Sequence, residues 1–331
     1  MVRFSEIPAA VFYCHREYPL RELELIVREA KLDDAKDIVE VHVTNLDRPF
    51  YKPVESLSIA ERYSYGGSWM SVESGAIHLN NMLAWGYAPL VVEDDGKVIA
   101  EAEFYIGKDI PPLGTTLDIS LLYVHSDFQR RGAGSLLVKE MISRAERKKC
   151  HYVTVSGGLG APGFYARFGF SHILSLEAVD CSVPEEANVC TCVSYTPEDF
   201  EELPKESLLI GRFLSPSQKW REIVDAMKRR DAILPERAEW PRPEGRYSKS
   251  DEFLSFLVPE WKDRAKADVY CWSEELTPKI VSDLLSHARL AGYNQACLLC
   301  HPKVAKLVGE VCKSTPRPSW QIWGKKLTCQ A

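Results

Sequence analysis

Seven consecutive residues, Gln129-Arg130-Arg131-Gly132-Ala133-Gly134-Ser135, have the composition to hold an anion. They follow an apolar run, Leu121–Val124, and open a helical pattern. Glycine lets backbone N–H groups approach a ligand with no Cβ in the way. The first N–H groups of a helix lack internal partners, and the helix dipole adds positive potential there. Arg130 and Arg131 put two more positive charges at the rim. The spacing therefore predicts a pyrophosphate cradle. It lacks the Gly-Lys-Ser/Thr ending of a nucleotide-hydrolysing loop and the third glycine of a dinucleotide fold. Gly158-Leu159-Gly160-Ala161-Pro162-Gly163 does match a dinucleotide pattern. The helix after it lasts about two turns before Gly169, too short for the crossover such a fold needs.

The elements around the turn follow from periodicity. Leu23–Arg28 reads as a strand and Asp33–Val43 as an amphipathic helix, with His42 as a helix-surface residue. Ala88–Glu93 and Val98–Ile106 read as a hairpin closed by Asp94-Asp95-Gly96-Lys97. Leu117–Val124 is a third strand. Gly132–Lys149 is a helix with Ala133, Leu137, Met141 and Ala145 on one face, its basic last turn suiting the dipole. Tyr152–Val155 is a fourth strand, and a short helix near Phe164–Arg167 leads to strands at Phe170–Glu177 and Val189–Tyr195. A boundary at Thr196-Pro197 divides a domain of residues 1–195 from a smaller α/β domain of 196–331. In the latter, Ser217–Arg230 reads as helix and 235–250 as a loop. Asp268–Trp272, Pro278–Leu290, Ala296–Cys300 and Pro302–Cys312 then alternate strand and helix, and Trp320–Trp323 closes with a strand. No internal sequence repeat is evident.

Gln129-Arg-Arg-Gly132-Ala-Gly134 resembles the Q/R-x-x-G-x-G/A acyl-CoA loop of the GNAT (GCN5-related N-acetyltransferase) superfamily. Gly160-Ala-Pro162-Gly-Phe164-Tyr165-Ala-Arg167-Phe168-Gly169-Phe170 resembles the G-x-P-x-Y-Y-x-R-F-G-F ending of one branch of it. One helix and one strand separate the two matches, as the family requires. The resemblance covers residues 23–180. It implies an α/β (α+β) GNAT-like fold, a mixed central sheet flanked by helices, and transfer of an acetyl group from acetyl-CoA (coenzyme A) to an amine acceptor by direct attack. It implies that Tyr123 and Val124 hold the thioester, one of their N–H groups facing its carbonyl oxygen. Gln129, Arg130, Arg131, Gly132, Ala133, Gly134 and Ser135 would take the pyrophosphate. Tyr165 would protonate the departing thiolate, and Asp118 would act as general base. Glu101 and Glu103, alternating with apolar residues on one strand, are rival carboxylates. Asp118 also reads as a solvated strand residue, and Tyr165 as a packing residue. An asparagine common in the family after the strand ending at Ser156 is replaced here by glycine. A non-catalytic acetyl-CoA sensor and a protein-modifying acetyltransferase that recruits substrate through residues 196–331 are the alternatives.

Composition narrows the partners. At 45% hydrophobic and 27% charged, the chain of 331 residues is that of a folded protein. Net charge is −6, divided as −8 over residues 1–195 and +2 over 196–331. That split favours a cationic acceptor and gives no basic patch for nucleic acid. No run of eighteen apolar residues and no signal peptide is evident, so a cytoplasmic protein without membrane contact is expected. A homo-oligomer stays open. Cys297-Leu-Leu-Cys300-His301 has haem-attachment spacing, but a strand there points Cys297 and Cys300 to different faces, and no metal is expected.

Overall fold

The computed structural model describes residues 25–46, 49–156, 162–185, 193–194, 204–212, 218–221, 246–250, 252–260, 263 and 265–328. Gly157–Gly160, Cys190, Cys192, the Thr196-Pro197 boundary, 217 and 222–230 of the expected 217–230 helix and 235–245 of the expected 235–250 loop lie outside them; 218–221 are helical, and Arg246–Lys249 is a strand rather than loop.

Strands β1 (Ile26–Glu29), β2 (Leu90–Asp94), β3 (Lys97–Lys108) and β4 (Thr115–Val124) form an antiparallel run. The β2–β3 turn uses Asp95 and Gly96, both at positive φ (50° and 81°), which suits the twist of a two-residue hairpin. Helices α1 (Ala35–Val43), α2 (Ile59–Gly66) and α3 (Val72–Ala84) precede β2. Helix α4 (Ala133–Arg147) then crosses to β5 (Tyr152–Ser156), which runs parallel to β4. A short α5 (Pro162–Ala166) leads to β6 (Ser171–Ser182).

The sheet is covered on both faces. Leu137, Val138, Met141 and Ala145 of α4 bury against Ala100, Ala102, Leu117 and Ile119. On the opposite face, Ile38 and Val39 of α1 and Leu79 of α3 meet Trp69, Val91 and Val98. Alternation along β3 therefore sends Ala100, Ala102 and Phe104 toward α4, and Glu101 and Glu103 toward α1 and α3.

Past β6 come β7 (Val193–Ser194), β8 (Ser207–Ile210), β9 (Arg246–Lys249), β10 (Leu254–Pro259) and β11 (Lys266–Ser273). They are followed by α6 (Pro278–Leu290), β12 (Gln295–Cys300), α7 (Pro302–Val311) and β13 (Ser314–Lys326). All thirteen strands join one sheet, in the order β1-β2-β3-β4-β5-β13-β6-β12-β8-β11-β10-β9-β7. The boundary at 195/196 therefore does not divide the sheet. Strand β13 comes from the last residues of the chain, yet it pairs with β5 through Ile322↔Ser156 to Lys326↔Tyr152 and with β6 along most of its length. It is also far longer than the Trp320–Trp323 stretch expected. Cys297 and Cys300 lie on β12 as a strand, and no metal-binding cluster occurs among the described residues. Nor is any described helix long and apolar enough to cross a membrane.

Because β13 is a central strand, residues of both parts should unfold together. Ile322 is fully buried between β5 and β6. Ile322→Ala should cost about 2–5 kcal/mol, read as a lower midpoint in one urea transition shared by tryptophan fluorescence and circular dichroism.

Candidate active site

Strands β4 and β5 pair only from Thr116↔Tyr152 to Ile119↔Val155. Beyond Ile119, β4 runs on to Val124 with β3 as its only strand partner among the described residues, so the two parallel strands fork. The register fixes which groups face the opening. His125 N–H donates to Ile99 O, and Tyr123 lies opposite Glu101, two residues along the same alternation. Tyr123 is thus the hydrogen-bonded partner of Glu101, while Leu122 and Val124 turn their N–H groups to the fork. The carbonyl of Val124 accepts from the Asn45 and Gln129 amides (2.9 and 3.3 Å), and Gln129 also donates to Asn45 Oδ1 (2.9 Å). These bonds tie the end of β4 to the end of α1.

The glycine turn closes the mouth of the fork. Gly132 caps α4 at φ 100°, a left-handed conformation that disfavours any side chain. A Cβ there would meet nothing within 4 Å, so the turn faces open space. Arg130, also left-handed at φ 64°, and Arg131 are exposed beside it. Ala133 and Gly134 are buried within the first turn of α4, and Ser135 is half-buried. At Gly134 a Cβ would touch Phe164 and Val124 at 3.4 Å, so glycine here also lets α4 lie close on β4. Intrahelical bonding starts with Leu136 N–H on Gly132 O, which leaves the N–H groups of 133–135 at the free end. An open cradle of free donors, beside a strand edge with two N–H groups turned to it, fits a phosphate-bearing thioester.

On the α1/α3 face beside the fork lies a buried polar cluster that the sequence did not reveal as a unit. His42 is buried in it, not on the helix surface as expected, because α1 packs flat on β3. Its Nε2 shares a 3.1 Å hydrogen bond with Glu101, and its ring stacks on Trp69 and tilts against Tyr123 at 4.6 Å. Trp69 Nε1 donates to Glu103 Oε1 at 2.7 Å, His78 Nε2 meets the same oxygen at 3.0 Å, and the Tyr105 hydroxyl donates to Oε2 at 3.4 Å. Both carboxyls are fully buried. Desolvation, reinforced by the charge of Glu103, pushes Glu101 well above the usual carboxylate range. Glu103 suffers the same desolvation, but the charge and hydrogen bond of His78 and the indole N–H of Trp69 hold it low. Burial pushes His42 down to about 4. Of the two carboxyls, Glu103 is therefore the one favoured to ionise, and Glu101 Oε1 is buried with no hydrogen-bond partner among the described residues. His78, 22% exposed at its side chain, and Tyr123, 37% exposed, are its outward members.

Asp118 lies on the same face of β4, at the root of the fork. It is not solvated: it is 1% exposed and paired with Arg212, a residue from beyond β8 (2.7 Å). Thr154 on β5 donates to the same oxygen at 2.6 Å, and Arg212 also grips Asp109 at 2.7 Å. Desolvation, with the charge of Asp109, still raises Asp118 to about 6 against the pull of Arg212. Tyr165, 8% exposed, belongs to the α4-side core with Ile119 and Val155. Burial and, second, the charge of Asp118 push its phenol up to about 12. His125 stands at the end of β4, caps the turn that follows and meets Glu40 at 3.3 Å.

Fork, glycine-capped helix and polar cluster thus lie together at the end of β4. Residues 52–170 match the model of the acetyltransferase (GNAT) family, and this part of the chain carries a GNAT acetyltransferase domain. A putative acetyltransferase from Pyrococcus horikoshii is 15% identical with a TM-score of 0.50, over 96% of this chain and 94% of that one. A GCN5-related N-acetyltransferase from Kribbella flavida is 13% identical with a TM-score of 0.54, over 90% and 71%. At such identities the likeness is one of fold, and it extends over both parts of the chain. No curated protein matches.

Asp118 gives a pH test. Its folded pKa lies above that of a free carboxyl, so the stability it contributes is full below about pH 4 and lost as pH rises through about 6. Asp118→Asn should lack that component, so the parent's urea midpoint should fall relative to the variant's as pH rises from about 4 to about 6, and the two should run parallel outside that window.

Proposed function

We propose that the protein is an N-acetyltransferase that moves an acetyl group from acetyl-CoA to a primary amine by direct attack. The observation that carries this reading is the fork at Ile119/Val155, with the Gly132 turn at its mouth and the Glu101–Glu103 cluster at its flank. Acetyl-CoA, when bound, supplies the activated thioester. The N–H groups of Gly132 to Ser135 and the Arg130 and Arg131 side chains bind its pyrophosphate, and Gln129 fixes the strand end beside it. Tyr123 and Val124 border the thioester, and the Val124 N–H, turned to the fork, is the donor toward the carbonyl oxygen as negative charge develops there.

On the acceptor side an amine must lose a proton, since a lysine-like amine has a pKa of ~10.4 in water. Of the three carboxylates that compete for this role, Asp118 is the least suited, because Arg212 and Thr154 hold it beneath the fork. Glu103 with His78 forms a carboxylate–imidazole dyad at the open side, with His78 the outward member. Glu101, buried behind Tyr123 and His42 and pushed toward its neutral form, leaves Glu103 as the carboxylate of the cluster. Tyr165 is the donor to the leaving thiolate. From about 12 down to a thiol near 8.5 the transfer climbs ~3.5 units, roughly 5 kcal/mol; the step balances because the nitrogen of the tetrahedral adduct, cationic after attack, releases the proton that the amide product does not carry.

Thiol release from acetyl-CoA across a panel of amines tests the proposal. His78→Ala and Glu103→Gln should each lower kcat by about 10²–10⁴ while leaving acetyl-CoA affinity intact. Tyr165→Phe should do the same, and unchanged turnover would remove the tyrosine from the mechanism. Gly132→Val should act oppositely, weakening acetyl-CoA binding in calorimetry; full affinity in that variant would sink the cradle.

A further inference from the structure

The second part of the chain repeats the first in space, though not in residues. The series β2-β3-β4-α4-β5-α5-β6 has its counterpart in β9-β10-β11-α6-β12-α7-β13. Both begin with three antiparallel strands, and in both the third runs parallel to the fourth across one helix. The last strands are exchanged: β13 lies beside β5, and β6 beside β12. The central order β4-β5-β13-β6-β12 then meets β8 and β11, a sequence symmetric about the β13–β6 pair except for β8.

That exception sits in the second fork. β11 and β12 pair in parallel only from Lys266↔Gln295 to Asp268↔Cys297, as β4 and β5 do for four positions. Where they part, β8 enters between them. It pairs antiparallel with β11 at Cys271↔Ile210, Trp272↔Leu208 and Ser273↔Ser207, and with β12 at Cys300↔Ile210. Gly211 N–H adds a bond to Leu299 O at 2.7 Å. Leu208 and Ile210 are fully buried. The helix beyond this fork has no glycine turn: Glu274-Glu275-Leu276-Thr277 precede Pro278, Thr277 caps Ile280 N–H, and two carboxylates stand where a phosphate would need donors. The chain leaves the fork at Gly211 (φ 94°), where a Cβ would strike Tyr270 at 2.4 Å and Val269 O at 2.8 Å. The next residue is Arg212, whose Nη2 reaches Asp118 on β4 at 2.7 Å and its register partner Thr154 on β5 at 3.3 Å.

We propose that strand Ser207–Ile210 permanently fills, in the second half, the cleft that the first half keeps open for the acyl-CoA arm, and that it thereby sets Arg212 as a positioning residue that pins the root of the open fork. The proposal rests on reading the first fork as the acyl-CoA site. One half of the duplicated architecture has given up its own ligand cleft and uses it to anchor a clamp on the other. Arg212 acts through the strands: its planar fork bridges two elements whose separation begins one residue further on.

Three measurements on the full chain test this. Calorimetry with acetyl-CoA should give one site per chain; two sites overturn the plug. Arg212→Lys keeps the charge but loses the two-pronged grip, and should raise KM for acetyl-CoA about fivefold or more with kcat little changed. A lower Tm with unchanged KM, assayed well below that Tm, would leave Arg212 a packing residue and overturn the positioning role. Hydrogen exchange does not depend on the cofactor reading. Gly211→Ala should accelerate exchange of Leu208–Ile210 about tenfold or more, and with it exchange at 116–119 and 153–155, while β2 stays protected. Acceleration confined to β8 would defeat the clamp. Were the parent chain to show no heat with acetyl-CoA, the acetyltransferase reading would fall, and exchange alone would decide for or against the plug and clamp.

Discussion

A parallel strand pair that separates leaves backbone groups with no partner along both inner edges, and buried unpaired amides are costly. The structure meets that constraint twice and answers it in two ways. Between β11 and β12 a strand of the same chain supplies the missing partners. Between β4 and β5 no described strand enters beyond Ile119: the Val124 carbonyl takes the Asn45 and Gln129 amides, and the N–H groups of Leu122 and Val124 face the opening. The glycine turn, the arginine rim and the polar cluster all take their places from this one opening. The same sheet geometry thus yields an open edge in one half and a filled core in the other.

The carboxylates around the open fork show how burial separates residues of one type. Glu101 and Glu103 stand on the same strand face two residues apart. Two buried negative charges at that spacing oppose each other, and the partners decide which is ionised. Glu103 collects donors from Trp69, His78 and Tyr105, whereas Glu101 has a neutral imidazole. Asp118 is matched by a guanidinium that Asp109 shares. Removing Arg212 altogether would strand both aspartates in the interior, a far larger disturbance than the loss of the bond itself.

Local chemistry wrote some of this plainly into the sequence. Asp95-Gly96 forces a hairpin, and the apolar repeat of α4 with glycine at its start marks both the helix and its left-handed cap. The alternation Ala100, Glu101, Ala102, Glu103, Phe104 showed two carboxylates on one face. What covers that face was hidden, since His42, Trp69 and His78 come from separate segments and meet only when α1 and α3 dock. His42 follows Ile38 at helical spacing, a sign that it shares the apolar stripe. The extent of β13 was masked by Pro316 and Pro318 in a polar run; the sheet absorbs the second at a register shift between Arg317 and Trp320. Arg212 carried no signal, because its partners lie in a different part of the chain.

The exchange of β6 and β13 bears on how the protein is made. Emerging from the ribosome, the first half has its glycine turn and its polar cluster early, but the strand that lies between β5 and β6 is translated only after the whole run from β7 to α7. Until those residues are free, β5 and β6 each present an unsatisfied edge that could recruit a neighbouring chain. The middle of the sheet is therefore closed only once the second half has been made, and folding of the first half waits on a segment distant from it in the chain.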